Sequence, residues 1–274
     1  MTDEPELEGP ADPDLEAGES MHIHRPKPLH GWREVSLEIG VIVFGIVIAV
    51  GLEQTVEFFH HQHQCEQLEA ELQRDGQANR AYIKDDIGNA QIILQWALGE
   101  AAALDRAART RPLILHSMPP AVIGSPDAGV WPSARASGVS NLLPSSAQNW
   151  LEYQADVYNE TFVSSSSAAG QLSLAYATLD QALFGATKVN TSGDIDVSSL
   201  TAAQRSMVVE RLRAVAEAAR VVMQRLLLYD ITNEFILSTP LVQLDTPEAG
   251  KRYQHIRQEV MEVYPAASFA FRRP

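Results

Sequence analysis

Residues 38–54, EIGVIVFGIVIAVGLEQ, hold fourteen consecutive uncharged residues, Ile39 to Leu52, between Glu38 and Glu53. This stretch limits the fold more than any other, because apolar surface of that extent has to be enclosed by protein or by lipid. As a helix, fourteen residues rise only about 21 Å, short of the roughly 30 Å of hydrocarbon that a membrane span crosses. Length alone favours a buried core helix, but the flanks reverse that balance. From Val35 to Val56 the only charges are Glu38 and Glu53, near the two ends, where a carboxylate reaches headgroups or water or takes up a proton at moderate cost. Ile, Val and Phe cover every side of the helix from 39 to 52 and leave no polar face for solvent. Gly40, Gly45 and Gly51 would each weaken a soluble helix by about 1 kcal/mol relative to Ala, whereas glycine is common in spans. Residues 35–56 are therefore read as one transmembrane helix, and Gly45 with Ala49 first as plain lipid-facing small residues and second as a small-xxx-small pair where another helix approaches.

Basic residues set the orientation. Arg25, Lys27 and Arg33 precede the segment and Trp32 stands at the interface, while residues 53–67 carry Glu53, Glu57 and Glu66 with no Lys or Arg. Positive-inside reasoning places the N-terminus in the cytoplasm. The long acidic stretch ahead of the segment, and the lack of a small-x-small site after it, argue for an uncleaved signal anchor with an exported C-terminal part.

The net charge of −14 is concentrated at the start: residues 1–20 hold eight acids and no base, which leaves −6 for the rest. With its prolines and glycines, this tail can bury almost nothing and is expected to be disordered. A pI near 4.9 excludes nucleic acid as a partner, because neutralising phosphates supplies most of that affinity. At 45% hydrophobic residues the remainder can bury a packed core. Cys65 is the only cysteine, so no intrachain disulfide is possible.

RPKPLHGWREVSLEIGVIVFGIVIAVGLEQ, residues 25–54, resembles the opening of a group of uncharacterised proteobacterial membrane proteins that begin with a PKPLHGWRE-type stretch followed by one span. The core from Glu38 to Ala49 is also similar to the span of an uncharacterised membrane family of Bacteroidetes. A weaker likeness surrounds WPSARASGVSNL, residues 131–142. The resemblance implies a single-pass membrane protein with a helical extracytoplasmic part and implies no activity. Such relatives start near the position of Met21, so the acidic extension departs from their pattern.

Beyond the span, three stretches keep the 4,3 apolar spacing of helices packed along a seam, as in coiled coils. They run from Ile83 to Leu104, from Leu151 to Leu183 and from Val208 to Tyr229. The first belongs to a helix continuing from the membrane, whose earlier part, with Asp75, Gly76 and Asn79, is polar and expected to pack loosely. The second would be a rod of thirty-three residues, about 50 Å long, with SSSS at 164–167 permitting close approach or a bend. Ser145 with Gln148 and Thr201 with Gln204 each fit a capping box, and Asp245 or Thr246 before Pro247 opens a shorter helix over about 247–264. KVNTSGDID, from Lys188, separates the second and third stretches, and PLVQL at 240–244 is the nearest approach to a strand. Residues 109–143, rich in Pro and Gly, form a long loop, functional or ordered against the helices. Within it Trp131 heads a short helix and is expected to plug one end of the packed helices.

One constellation has ligand chemistry. Glu53, Glu57, His61 and Cys65 recur every four residues and share a helical stripe, with His60 and His63 on a neighbouring one. These side-chain types suit zinc or copper, but structural sites draw ligands from two elements, and a polar helix surface is the preferred reading. No metal, cofactor or catalytic residue is therefore assigned. GxSxG, HExxH, P-loop and GxGxxG motifs are absent, and no enzyme is expected. Asn159 and Asn190 open sequons of little meaning in a chain of bacterial character.

The expected fold is all-α, a single N-terminal transmembrane helix at 35–56 followed by a bundle of long antiparallel helices over 57–274. The expected role is a structural or protein-interaction module in the bacterial inner membrane, its domain periplasmic. Its partners would be the bilayer and a second copy of itself or another membrane protein. The alternative is a periplasmic sensor or a module binding a small ligand or metal through a membrane partner, since some 34 residues on the cytoplasmic side are few for an output domain. A pocket lined by convergent polar groups favours the alternative, a solid bundle the first. Because MHIHRPKPLHGWRE, from Met21, carries every feature the anchor needs, deleting residues 1–20 should leave membrane insertion and the melting transition unchanged. Fractionation and calorimetry of the truncated chain test this, and intact mass shows whether Met1 or Met21 is the native start.

Overall fold

The structure, a computed structural model, describes residues 31–106, 113–127, 129–164, 166–184, 186–188 and 193–264. The acidic tail, Met21, most of the basic flank and Asn190 lie outside the described residues. Among the described residues the fold is all-α, 81% helical and 2% strand. The chain divides into two compact units between Val56 and Glu57. Helix α1 is Trp32–Arg106.

The first unit holds the apolar part of α1. Its most apolar 18-residue window has a mean hydropathy of 2.5 and no buried residue. Phe44, Ile46 and Val47 are all more than half exposed, at 66%, 58% and 62%. Among the described residues nothing lies within 4 Å of where a Cβ would stand on Gly40, Gly45 or Gly51, so these glycines make room for none of them. A core helix is covered by its own protein; this one is not, and by length and composition it is able to cross a membrane or serve as a signal anchor.

The second unit is organised by α5, Ala202–Ser238. The apolar seam read from Val208 to Tyr229 is buried and continues through Ile231, Phe235 and Ile236. The helix starts where the capping box predicts: Thr201 Oγ1 accepts the Gln204 N–H at 3.2 Å, and the Thr201 N–H donates to Gln204 Oε1 at 2.8 Å. Against it, α1 buries Leu68, Gly76, Asn79 and then Ile83, Ile87, Ala90, Ala97, Ala101 and Leu104. The middle of α1 meets the end of α5, Gly76 on Asn233 and Arg80 on Glu234, and the end of α1 meets the first half of α5, Asp105 on Arg213. The two run antiparallel. Helix α6, Pro247–Val263, begins at Thr246, whose Oγ1 accepts the Ala249 N–H, with Pro247 at the first position. Its Tyr253 joins Trp150 and Phe235 in an aromatic cluster with ring centroids 4.6–5.4 Å apart.

The rod expected over 151–183 is two helices, α3 (Ser145–Tyr158) and α4 (Ala168–Ala182). Between them Asn159–Val163 forms a π turn, in which the Ser164 N–H reaches the Asn159 carbonyl, and Ser164 then turns extended, with ψ 152°. Hydroxyls explain the break: Thr161 Oγ1 donates to the Val157 carbonyl at 2.6 Å, and Ser167 Oγ accepts the Gly170 N–H to cap α4. Apolar spacing survives such a break, so periodicity alone does not reveal it. The capping box expected at Ser145 and Gln148 does not form. Pro144 occupies the N-cap, Ser145 is already helical, and the Gln148 amide donates to the Leu143 carbonyl instead.

Strands lie elsewhere than 240–244, where Leu241–Gln243 make a 3-10 turn after Pro240. Strands β1 (Ile114–Leu115), β2 (Thr187–Lys188) and β3 (Ile195–Asp196) pair antiparallel in the order β1-β3-β2, Leu115 opposite Ile195 and Lys188 opposite Ile195. Two-residue strands carry no readable period. The long loop is ordered against the helices, and the short helix α2, Val130–Ser137, closes it.

The polar part of α1 packs tightly, contrary to the loose packing its composition suggested. A Cβ on Gly76 would stand 2.7 Å from Asn233 Oδ1 and 2.9 Å from Leu237 Cδ2. On Gly88 it would meet nothing within 4 Å. Gly76→Ala should therefore destabilise the domain by about 1–3 kcal/mol through overpacking, while Gly88→Ala stabilises it by roughly 0.5–1 kcal/mol. Denaturant melts of the detergent-solubilised chain compare the two.

Candidate functional site

A cavity of about 150 Å³ opens where α1, α2, α3 and α5 meet. Its apolar walls are Leu72, Leu151 and Ile236, and its polar lining includes Asp75, Asn79, Asp127, Gln154, Tyr158, Tyr229 and Asn233. Gly76 admits α5 closely enough for the Asn233 amide to donate to the Gly76 carbonyl at 2.9 Å. Asn233 Oδ1 accepts from Gln154 of α3 at 3.2 Å. Asn79, only 4% exposed, binds the loop as a second backbone would: its amide nitrogen donates to the Asp127 carbonyl and its oxygen accepts the Asp127 N–H. The Tyr158 hydroxyl donates to the Pro126 carbonyl at 3.0 Å. The loop is thereby pinned as one wall of the cavity.

Trp131 is 7% exposed and lines the cavity, and its buried indole N–H has no acceptor among the described residues. It does seal the apolar cluster of Leu68, Trp150 and Phe235, as a plug would, yet it also faces a space. Asp75 and Asp127 form no ion pair among the described residues. Burial, then the charge of Asp127, pushes the Asp75 carboxyl above its ordinary range, while the Val130 N–H pulls it back. Burial first, and the nearby Asp75 charge second, also pushes up the Tyr229 phenol. Arg135 stands at the rim and is engaged by Glu152 at 3.1 Å.

The stripe weighed as a metal site, and read in preference as a polar helix surface, lies on α1. His61 Nε2 stands 3.9 Å from Glu57 Oε1, but Cys65 turns to the Leu142 carbonyl, 3.8 Å away. Burial, then Glu66 and Glu69, pushes its thiol up, away from the thiolate that a metal takes. Glu53 belongs to the other unit. Among the described residues no three His, Cys, Asp or Glu side chains are grouped to hold a metal ion. Of the cavity's lining, the sequence had offered Trp131 as a plug and Asp75, Gly76 and Asn79 only as a polar, loosely packed stretch. The missed signal was Gly76 and Asn79 interrupting an apolar seam: polar residues at seam positions are buried, and buried polar groups need partners.

The loop is held at a second point. His116 Nδ1 lies 2.7 Å from Glu100 Oε1, the latter residue 8% exposed, and the Trp96 indole donates to the His116 carbonyl at 3.4 Å. The hydrogen bond that its ring donates to Glu100, then the Glu100 charge, raises His116 above the ordinary 6.5, and Asp194 adds to the rise. A histidine raised in the folded state contributes stability that is complete below 6.5 and is lost as pH rises through its folded value.

The chain matches no protein-family model, no curated protein and no solved structure. Geometry alone therefore carries the assignment of this site. For the loop, hydrogen-exchange protection of residues 113–118, corrected for intrinsic rate, should fall as pH rises above 6.5. His116→Gln should remove that pH dependence.

Proposed function

We propose that this chain is a single-pass inner-membrane protein whose exported helical domain binds a small ligand in the cavity between α1, α2, α3 and α5. The observation that carries the reading is the convergence of Asp75, Asn79, Asp127, Gln154, Tyr229 and Asn233 on one space. A domain that serves only as a spacer gains nothing from gathering carboxylates and amides around a void, since burying a polar group costs free energy unless it is partnered. A cavity near 150 Å³ is smaller than a drug-sized site and holds a group on the order of a benzene ring. Arg25, Lys27 and Arg33 ahead of the apolar helix, against no base in residues 53–67, support a cytoplasmic N-terminus and a periplasmic domain. Gly45 and Ala49 offer a second membrane helix a place to pack, through which occupancy is passed on.

The structural or interaction reading keeps one observation in its favour. Leu174 and Phe184 of the helical unit are 65% and 89% exposed, as at a surface another chain covers. Two measurements separate the readings. Alkaline phosphatase fused after Leu104 should be active and a fluorescent protein fused there dark; a bright fusion overturns the orientation. Native mass spectrometry of the extracted protein should show a bound small molecule that Ala155→Trp, filling the cavity, expels. A wild-type protein that carries none and self-associates equally well with Ala155→Trp supports the interaction module.

A further inference from the structure

Helix α4 carries apolar spacing on two faces. Leu172, Leu179 and Leu183 are buried in the core of the helical unit. On the other side Gly170, Leu174, Ala177 and Gln181 are all exposed, and by helical geometry they stand within about 60° of one another. The turn after the helix adds Phe184, whose N–H donates to the Gln181 carbonyl at 3.2 Å and whose side chain is 89% exposed. Positions 170, 174, 177, 181 and 184 keep the 4,3,4,3 step of a helix-packing seam, and the described residues leave it uncovered. Charge limits what can cover it. A helix side turned to water ordinarily carries charge: α5 exposes Glu210, Arg211 and Glu217, and α6 exposes Glu248, Lys251 and Glu259. In α4 Asp180 is the single charged residue, so a basic partner would find one carboxylate and an acidic partner no base. A second copy fits better. At a net charge of −14 two copies repel, least where neither presents charge, and the seam is such a place.

We infer that α4 is a self-association face: the exposed seam of one copy packs on the seam of a second copy, with Leu174 and Phe184 buried between them. Ala177, at the middle of the seam, stands on the two-fold axis and meets its own counterpart, as an isologous interface requires. A helix of 15 residues, about 22 Å long, buries less than the roughly 800 Å² per partner of a stable free complex. The pair therefore depends on copies already gathered in one membrane, where their effective concentration is high. The inference rests on the membrane anchor of the reading above and not on its cavity, whose lining includes no residue of α4.

Cysteine crosslinking of the full chain in isolated membranes tests it. Cys65 is the only cysteine, so every variant is made in a Cys65→Ala background. Under a mild oxidant Ala177→Cys should give a disulfide-linked species of twice the chain's mass, because packing on the two-fold axis brings the two Cα atoms within about 7 Å. Gln258→Cys, exposed on α6, should give at least about tenfold less of it. Adding Leu174→Glu or Phe184→Glu to Ala177→Cys sets like charges against each other in the seam and should lower the yield about tenfold. Adding Gln258→Glu instead should leave the yield unchanged. Both seam side chains are exposed, so the melting temperature should be the same with either glutamate, which separates a lost interface from a lost fold. If Ala177→Cys yields no more dimer than Gln258→Cys in the membrane fraction, the inference is overturned and the anchor stands. Recovery of the chain in the soluble fraction removes the anchor and the inference with it. An adduct of another mass, with a different protein on the seam, also overturns it.

Discussion

The approach of α5 to α1 at Gly76 is the contact on which the rest of the helical unit depends. A residue without a side chain lets the Asn233 amide reach the Gly76 carbonyl, and the same amide's oxygen accepts from Gln154 of α3. One buried side chain, 2% exposed, thus joins three helices. In a low-dielectric setting such a group is costly if unpaired and rigid if paired. Its level along the helices is set, because sliding α5 by a turn would leave both amide ends without partners. Along α1 this polar layer, with Gly76 and Asn79, falls between Leu68 of one apolar cluster and Ile83 of the other. The cavity lies at that interruption, where apolar packing stops and hydrogen bonding takes over.

The loop between α1 and α2 completes the same layer. Its backbone polar groups are taken up by helical side chains: Asp127 by Asn79, Pro126 by Tyr158, Pro119 by Tyr176 and Gly124 by Asp86. Proline brings no N–H to be satisfied, so Pro119, Pro120 and Pro126 reduce the number of donors that a chain lying across helices must place. A segment without regular structure becomes a fixed wall in this way. His116 on Glu100 holds its beginning and Asn79 on Asp127 its end, and the cavity lies beside the second clamp.

The two units follow opposite rules. In the helical unit polar groups sit among the packed helices with partners, as with Asn233 on Gly76 and Asp86 on the Gly124 N–H. In the apolar unit Ile39 to Leu52 are exposed without one polar side chain among them. A contiguous apolar surface of that kind on a protein in water marks a site of membrane or protein contact. That contrast is the basis for reading the chain as an anchor and a domain that does chemistry of recognition.

Sequence by itself determined what local pattern encodes. The apolar segment, the seams over 83–104 and 208–229, the Thr201 capping box and the Thr246-Pro247 helix start all stand in the structure, because each depends on residues within a few turns of one another. It did not determine the break at Asn159–Val163, since apolar spacing continues through it and only the hydroxyls of Thr161 and Ser167, each choosing a backbone partner, stop the helix. Nor could it place the cavity. Asn79 meets Asp127 across 48 positions, Gln154 meets Asn233 across 79, and Asn233 meets Gly76 across 157. In sequence those residues are polar interruptions that look like weak packing. Tertiary structure alone brings each one its partner, and a buried polar group is stabilising or ruinous according to whether that partner is there.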